Sequence, residues 1–470
     1  MKIILLPVLA CLAALTAEAK PNVIIIYNDD QGYGDLGCYG ASDLNTPHVD
    51  RLAAGGMLLT DFYMASSVCS PSRAALLTGL YPHRAGVPMV IFPAVKDKPV
   101  DGLAVEHFTL AELFKSVGYK TKAVGKWHLG DTKELLPTNQ GFDAYYGIPF
   151  SNDMFPGDYI EYADHCLFNE GWSEAKILAR FEEAKQKKLK RRGLAKQVPL
   201  LEDELCVEFP VDQSTITRRF ATKGIEFISE SVQEQKPFFL YLANPMPHTP
   251  LFVSEDFQGK SKRGKYGDVI EELDHHVGRI LDHLDALGIR ENTIVFFTSD
   301  NGAAVKHTDT AGSNLPLFDG KGSHFEGGYR VPGIIRWPQK IAAGSTCSEI
   351  ASSMDLMPTF ARIVGAEVQS VIPLDGKDIS DLLYGTEGAG TPHDYFFFDT
   401  YAVRSGDWKY HQKRVYLNKK TQRAETGPAL YNLKDDVGES QNLIEDYPEI
   451  AKRLQQALEE HNAYLVAGDS

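Results

Sequence analysis

Two pairs of oxygen-bearing side chains, Asp29-Asp30 and Asp300-Asn301, stand at the ends of short apolar runs. The runs are Asn22-Val23-Ile24-Ile25-Ile26-Tyr27 and Thr293-Ile294-Val295-Phe296-Phe297-Thr298. Continuous β-branched and aromatic stretches of this length read as strands buried on both faces. An isolated Asp-Asp or Asp-Asn-Gly is more often a turn. Two acidic clusters ending two core strands instead predict one site, because open parallel sheets gather their ligands at the carboxyl edge. A third candidate is Cys69, which opens Cys69-Ser70-Pro71-Ser72-Arg73-Ala74-Ala75-Leu76-Leu77-Thr78-Gly79. Pro71 favours a helix start and Ala74 to Leu77 form helix well, so Cys69 falls at a helix N-terminus. The free N–H groups and partial positive charge there suit an anionic nucleophile or ligand. On these grounds alone Cys69 reads equally as a thiol of lowered pKa or as a buried cysteine.

The stretch from Cys69 to Gly79 resembles the signature of the formylglycine-dependent sulfatases, in which that cysteine is oxidised to an aldehyde before catalysis. Further segments match in order: Asp29-Asp30-Gln31-Gly32-Tyr33-Gly34-Asp35, Gly125-Lys126-Trp127-His128-Leu129-Gly130, Pro247-His248-Thr249-Pro250, Thr298-Ser299-Asp300-Asn301-Gly302 and Gly320 to Gly328. The resemblance covers almost the whole chain and is nearest to the branch of arylsulfatase A and the N-acetylgalactosamine-6-sulfatases.

The resemblance implies a role for each matched residue. Asp29, Asp30, Asp300 and Asn301 would hold a metal together with the modified residue 69. An all-oxygen set suits a hard cation, one Ca2+ per site, and disfavours zinc. Residue 69, as a hydrated aldehyde, would attack sulfur with one hydroxyl to give a sulfated enzyme, and loss of a proton from the second would expel sulfate. Arg73, Lys126 and Lys321 would neutralise the sulfate oxygens. His248, with Lys321, would protonate the leaving alcohol, and His128 would serve the diol. Ser151 belongs to a substrate-side loop, Ser151-Asn152-Asp153; the family often carries histidine where Asn152 stands. His307 is a weaker substrate candidate, while His324, Glu326 and Arg330 read as support for the loop of Lys321. Implied partners are a sulfated carbohydrate or other sulfate ester and a formylglycine-generating enzyme.

Helical patterns at Leu110–Val117, Thr215–Glu230 and Gly264–Leu287 alternate with apolar runs at Lys120–Val124 and Phe238–Ala243. This alternation predicts an α/β fold with a mostly parallel sheet, and the resemblance makes it alkaline-phosphatase-like, a large mixed sheet flanked by helices. Residues 20–385 form the expected catalytic domain, with a helical insertion at about 155–212. The basic run Lys185 to Arg192 in that insertion reads as a solvated surface. The Gly- and Thr-rich stretch from Gly385 to Pro392 predicts a boundary. Beyond it, residues 386–470 read as a small antiparallel sheet (Tyr395–Phe398, Ala402–Arg404, Trp408–Gln412, Ala429–Leu433) with a closing helix, Pro448–Leu465.

The 470 residues carry a net charge of −15, with 43% hydrophobic and 24% charged residues. That balance is globular and argues against nucleic acid as a partner. Lys2, the apolar run Ile3–Leu15 and Ala17-Glu18-Ala19 read as a signal peptide over residues 1–19, giving a secreted or periplasmic protein without stable membrane insertion. Five cysteines remain after its removal, an odd number that leaves at least one free, reactive or modified. Cys166 and Cys206 are candidates to clasp the segment between them. Two other functions fit parts of the pattern: a phosphodiesterase or phosphonate monoester hydrolase of the same superfamily, and a non-catalytic binder of sulfated glycans. The second requires a missing site residue, and every expected position is filled.

Overall fold

The structure is a computed structural model that describes residues 19–186, 197–306, 311–417 and 424–467. The two apolar runs become neighbouring strands at the centre of an 11-stranded sheet. From one edge the strands are Ser345–Cys347, Met57–Leu59, Gly333–Arg336, Thr293–Ser299, Asn22–Asn28, Phe238–Ala243, Lys120–Lys126, Ala144–Ile148, Leu200–Glu202, Leu205–Phe209 and Glu161–Phe168. The five from Thr293–Ser299 to Ala144–Ile148 are mutually parallel. Antiparallel neighbours flank them, so the sheet is mixed and mostly parallel, as expected.

Side chains that alternate across a strand build two cores. Val23, Ile25 and Tyr27 face one side, with Leu76 and Leu77 of the helix Cys69–Thr78 and Phe114 of the helix Leu110–Ser116. Ile24 and Ile26 face the other, with Phe220 of the helix Ile216–Gln233 and Val277 of the helix Gly264–Ala286. Burial on both faces explains why these strands read as continuous apolar runs rather than alternating ones.

Among its described residues, the stretch expected to be a helical insertion holds one helix, Glu174–Gln186, and three strands that extend the sheet to its far edge. Leu200–Glu202 spans three residues and Glu161–Phe168 is half exposed, so neither shows the periodicity that marks a strand. The basic run beyond Gln186, residues 1–18 of the expected signal peptide, and His307 lie outside the described residues. Among the described residues no helix is long and apolar enough to cross a membrane.

The C-terminal sheet is antiparallel, ordered Phe396–Phe398, Ala402–Ser405, Trp408–Leu417, Ala424–Asn432. The helix Pro448–Ala467 packs Leu454 and Leu458 on its Val403, Tyr410 and Leu430. The last two strands outrun their apolar cores because a register irregularity between His411 and Arg414 lets pairing continue past the polar Gln412 and Lys413.

Candidate active site

Parallel strands deliver their carboxyl ends to one edge. Asp29 and Asp30 leave Asn22–Asn28 there, beside Asp300 and Asn301 from Thr293–Ser299, since Asn28 is in register with Ser299. Lys126 ends the next strand but one, followed by His128, while Ser151 and His248 follow Ala144–Ile148 and Phe238–Ala243. Cys69 is the first residue of the helix Cys69–Thr78, and Lys321 lies on the loop before the short helix Glu326–Tyr329.

Close backbone approaches fix these positions. A Cβ at Gly125, whose φ is +108°, would lie 1.9 Å from the Ala243 carbonyl, so only glycine lets Lys126 follow. A Cβ at Gly302 would lie 1.7 Å from the Gly327 carbonyl, where the chain after Asn301 meets the helix after Lys321. Asp30 (φ 65°) and His128 (φ 63°) hold the left-handed region that non-glycine residues rarely adopt, a strain that marks functional sites.

Cys69, His128, Ser151, His248 and Lys321 are among the residues that line a cavity of about 160 Å3. Burial pushes the Cys69 thiol up, although Lys126 and Lys321 oppose the shift. Of the two sequence readings, the buried cysteine is therefore the better. As an unmodified thiol the residue is protonated near neutral pH and a poor nucleophile.

The oxygen cluster has the kind of donor set a hard cation takes. Asp29 Oδ1 and Asn301 Oδ1 are buried without a hydrogen-bond partner. The remaining oxygens draw in every nearby donor: Lys126 Nζ lies 2.5 Å from Asp29 Oδ2, Lys321 Nζ 2.6 Å from Asp30 Oδ1, and Arg73 2.9 Å from Asp300 Oδ2. Burial and the charge of Asp29 push Asp300 up to about 7. Asp29, despite its own burial, is held below the usual carboxylate range by Lys126, His248 and Arg73. Crowded carboxylates with orphaned oxygens fit a hard cation such as calcium. His248 also approaches, its Nε2 3.9 Å from Asp30 Oδ2, so one imidazole lies beside a set that the sequence presented as all oxygen.

The chain matches the sulfatase family over residues 21–366 and the N-sulphoglucosamine sulphohydrolase C-terminal family over residues 315–464. It is 38% identical to arylsulfatase A of Bos taurus, covering 96% of this chain and 89% of that protein. The chain belongs to the sulfatase family. It is 35% identical to N-acetylgalactosamine-6-sulfatase of Canis lupus familiaris, covering 98% of this chain and 89% of that one. A solved structure of Ps i-CgsB in complex with k-i-k-neocarrahexaose is 29% identical, with a TM-score of 0.75 and coverage of 94% and 92%. This sulfatase is thus a sulfuric ester hydrolase with the alkaline-phosphatase-like fold.

Within this sulfatase the basic residues differ in position. Lys321 lines the cavity, whereas Arg73 is fully buried and does not. The Arg73 guanidinium donates to the Lys126 carbonyl at 2.7 Å and to Asp300. The sulfate contact expected for Arg73 therefore finds it one step back from the cavity, against the Asp300 carboxylate. Lys126 is also buried, 3.5 Å from Ser151 Oγ.

Both histidines have assignable protons. The Ile91 carbonyl accepts from His128 Nε2 at 2.9 Å, which leaves His128 Nδ1 a buried acceptor without a partner. Burial and Lys126 hold His128 well below the usual histidine range. Asn152 Oδ1 accepts from His248 Nδ1 at 3.0 Å, while Asn152 Nδ2 donates to the Pro250 carbonyl at 3.0 Å. The free nitrogen of His248 is therefore Nε2, the one near Asp30. Burial and Lys321 lower His248 against the pull of Asp30. The Asn152 contact escaped the sequence reading, because nothing in Ser151-Asn152-Asp153 points to a histidine 96 residues away. Glu326, Lys409 and Glu439 form a buried ionic group under the loop of Lys321, with Lys409 Nζ 2.9 Å from Glu326. The Cys166 and Cys206 sulfurs lie 3.9 Å apart, adjacent but unbonded.

Proposed function

We propose that this sulfatase is an exported enzyme that removes sulfate from a sulfated carbohydrate. Cys69, converted to formylglycine by a separate generating enzyme, carries the nucleophile, and one calcium is held by Asp29, Asp30, Asp300, Asn301 and residue 69. The observation that carries the reading is the convergence of Cys69, Lys321, His128 and His248 on one cavity beside buried, partnerless carboxylate and carboxamide oxygens.

When formed and bound, the modified residue and the cation would supply an activated hydroxyl and, through a second hydroxyl, a route for releasing sulfate. The rest falls to this chain's own residues. Lys321, pushed up against the cost of its burial by Asp30 and its acidic neighbours, keeps its charge and faces the sulfate oxygens. Arg73 and Lys126 hold Asp300 and Asp29 in place from behind. His248, its Nδ1 proton committed to Asn152, is an acid only as the imidazolium, the form that Asp30 beside it favours, and in that form its Nε2–H would protonate the leaving oxygen. His128, neutral and with Nδ1 bare, is the group able to take a proton.

The test is inorganic sulfate release, with phosphate alongside, from sulfated mono- and oligosaccharides. The enzyme would be produced with a formylglycine-generating enzyme and assayed with calcium and after chelation. Sulfate release that chelation abolishes and calcium restores supports the reading. Phosphate release without sulfate release would transfer it to phosphoesters.

A further inference from the structure

The active-site cavity, walled in part by Phe92, Met154 and Phe155, holds about 160 Å3, below the usual range for pockets that enclose a whole ligand. A second cavity of about 680 Å3, within that range, lies farther along the same edge of the sheet. The topology fixes the edge. Leu200–Glu202 is antiparallel to both Ala144–Ile148 and Leu205–Phe209, and Glu161–Phe168 is parallel to Leu205–Phe209. These last two strands therefore point the same way as the central ones. Asn169 and Glu170 follow one, Asp212 and Gln213 follow the other, and all four line the second cavity at the carboxyl edge.

Asn152 joins the walls of the two cavities. Its neighbours Ser151 and Asp153 line the first, and its carbonyl accepts from Gln213 Nε2, of the second, at 3.0 Å. His248 lines the first, and Phe252, farther along the same loop, lines the second.

The second lining is one-sided in charge. Glu170, Glu208 and Asp212 bring three carboxylates, and among the described lining residues Arg219 is the sole cation. That cation is already engaged: its guanidinium meets Glu208 at 2.7 Å and donates to the Tyr146 hydroxyl at 2.8 and 3.1 Å. Asn169 donates Nδ2 to Glu208 and to the Pro210 carbonyl, which leaves its Oδ1 as a further acceptor. Leu167, 57% exposed, and Phe252, whose ring Lys265 caps at 5.8 Å, add apolar surface. Carboxylates only accept hydrogen bonds, so such a wall suits hydroxyl, amide N–H or ammonium donors and disfavours a carboxylate or sulfate.

We propose that this cavity is a second carbohydrate subsite, binding an uncharged or amino sugar unit joined to the sulfated one. The proposal rests on the carbohydrate sulfatase reading and deepens it. The substrate is an oligosaccharide whose sulfate ester enters the first cavity while an unsulfated neighbour is held beyond Asn152. The enzyme then reads chain length and the neighbour's charge as well as the ester.

The experiment measures kcat/KM for sulfate release from a sulfated sugar that the enzyme turns over, presented three ways: alone, extended by an uncharged disaccharide, and extended by a disaccharide carrying a uronate. Both linkage directions are tried. Wild type is compared with Glu170→Lys, which reverses one exposed charge of the lining, each rate being normalised to nitrophenyl sulfate. In the wild type the uncharged extension is expected to raise kcat/KM by about tenfold or more, and the uronate extension by less. In Glu170→Lys the gap between the two extensions narrows by about threefold or more. No gain from the uncharged extension in either direction overturns the proposal and leaves the sulfatase reading intact. So does a uronate extension that gains as much, or a gap that Glu170→Lys leaves unchanged. Should the variant fail to fold, the wild type decides alone on the first two outcomes. Nitrophenyl sulfate turnover without release from any sugar overturns both this proposal and the carbohydrate reading.

Discussion

Replacing Asn152 by leucine, a side chain of similar size, isolates the orientation of His248. Asn152 is fully buried, so no void is opened and no surface is changed. The variant removes the acceptor 3.0 Å from His248 Nδ1 and the donor to the Pro250 carbonyl. Each buried group left unpaired costs about 1–3 kcal/mol, and the ring is free to turn its proton elsewhere. Loss of a partner that orients a catalytic or ligating histidine typically lowers activity about 10–100-fold. The loss belongs in kcat and depends on the leaving group. A sugar alkoxide needs the proton from Nε2, whereas a nitrophenolate departs without one. We therefore expect kcat on a sugar sulfate to fall about 10–100-fold and kcat on nitrophenyl sulfate to fall far less. Steady-state kinetics on both substrates, repeated in a His248→Ala background, tests this; there the second substitution adds nothing. Equal losses on both substrates, or additive losses in the double variant, would refute the assigned role of Asn152.

Three further outcomes follow from groups outside the cavity. Lys409→Met removes the cation shared by Glu326 and Glu439, leaving Arg330 on the first and His411 on the second, which should cost about 3 kcal/mol in a denaturant titration, with partial recovery on adding Glu326→Gln. Burial holds His461 down to about 4, below its ordinary 6.5, where it stacks on Phe397. Above pH 6.5 it is neutral folded and unfolded; below that the unfolded chain gains a proton the folded chain refuses until pH 4. Stability should therefore fall by about 3 kcal/mol as pH drops from 6.5 to 4, and His461→Phe should flatten that slope. Mild oxidation with a small disulfide should join Cys166 to Cys206, seen as a cross-linked peptide that Cys166→Ser abolishes, because their sulfurs are already 3.9 Å apart.

The sequence shows the site's floor more clearly than its walls, for physical reasons. Strands buried on both faces must be continuously apolar, so Val23–Tyr27 and Ile294–Phe297 stand out, and parallel pairing then forces Asp29 and Asp300 together. The helix after Cys69 is equally visible, with proline near its start and alanines after it. Lys126, His248 and Lys321 converge only through the sheet crossovers, and their types alone do not distinguish them from surface residues; the family signature supplied that step. Phe92 lies in a stretch without regular structure, and the Asn152–His248 contact is long-range, so neither leaves a local pattern. The strands Glu161–Phe168 and Leu200–Glu202 were hidden by half-exposure and by brevity, so the segment read as helical.

The central claim is that residue 69 acts as an aldehyde and not as a thiol. The most direct measurement takes enzyme preparations matured to different extents, quantifies aldehyde at residue 69 by peptide mass spectrometry, and compares it with the initial rate of sulfate release. We expect the rate to rise in proportion to the aldehyde fraction and to vanish in Cys69→Ala. Full activity from protein whose residue 69 is entirely thiol, or none from protein carrying the aldehyde, would contradict the account.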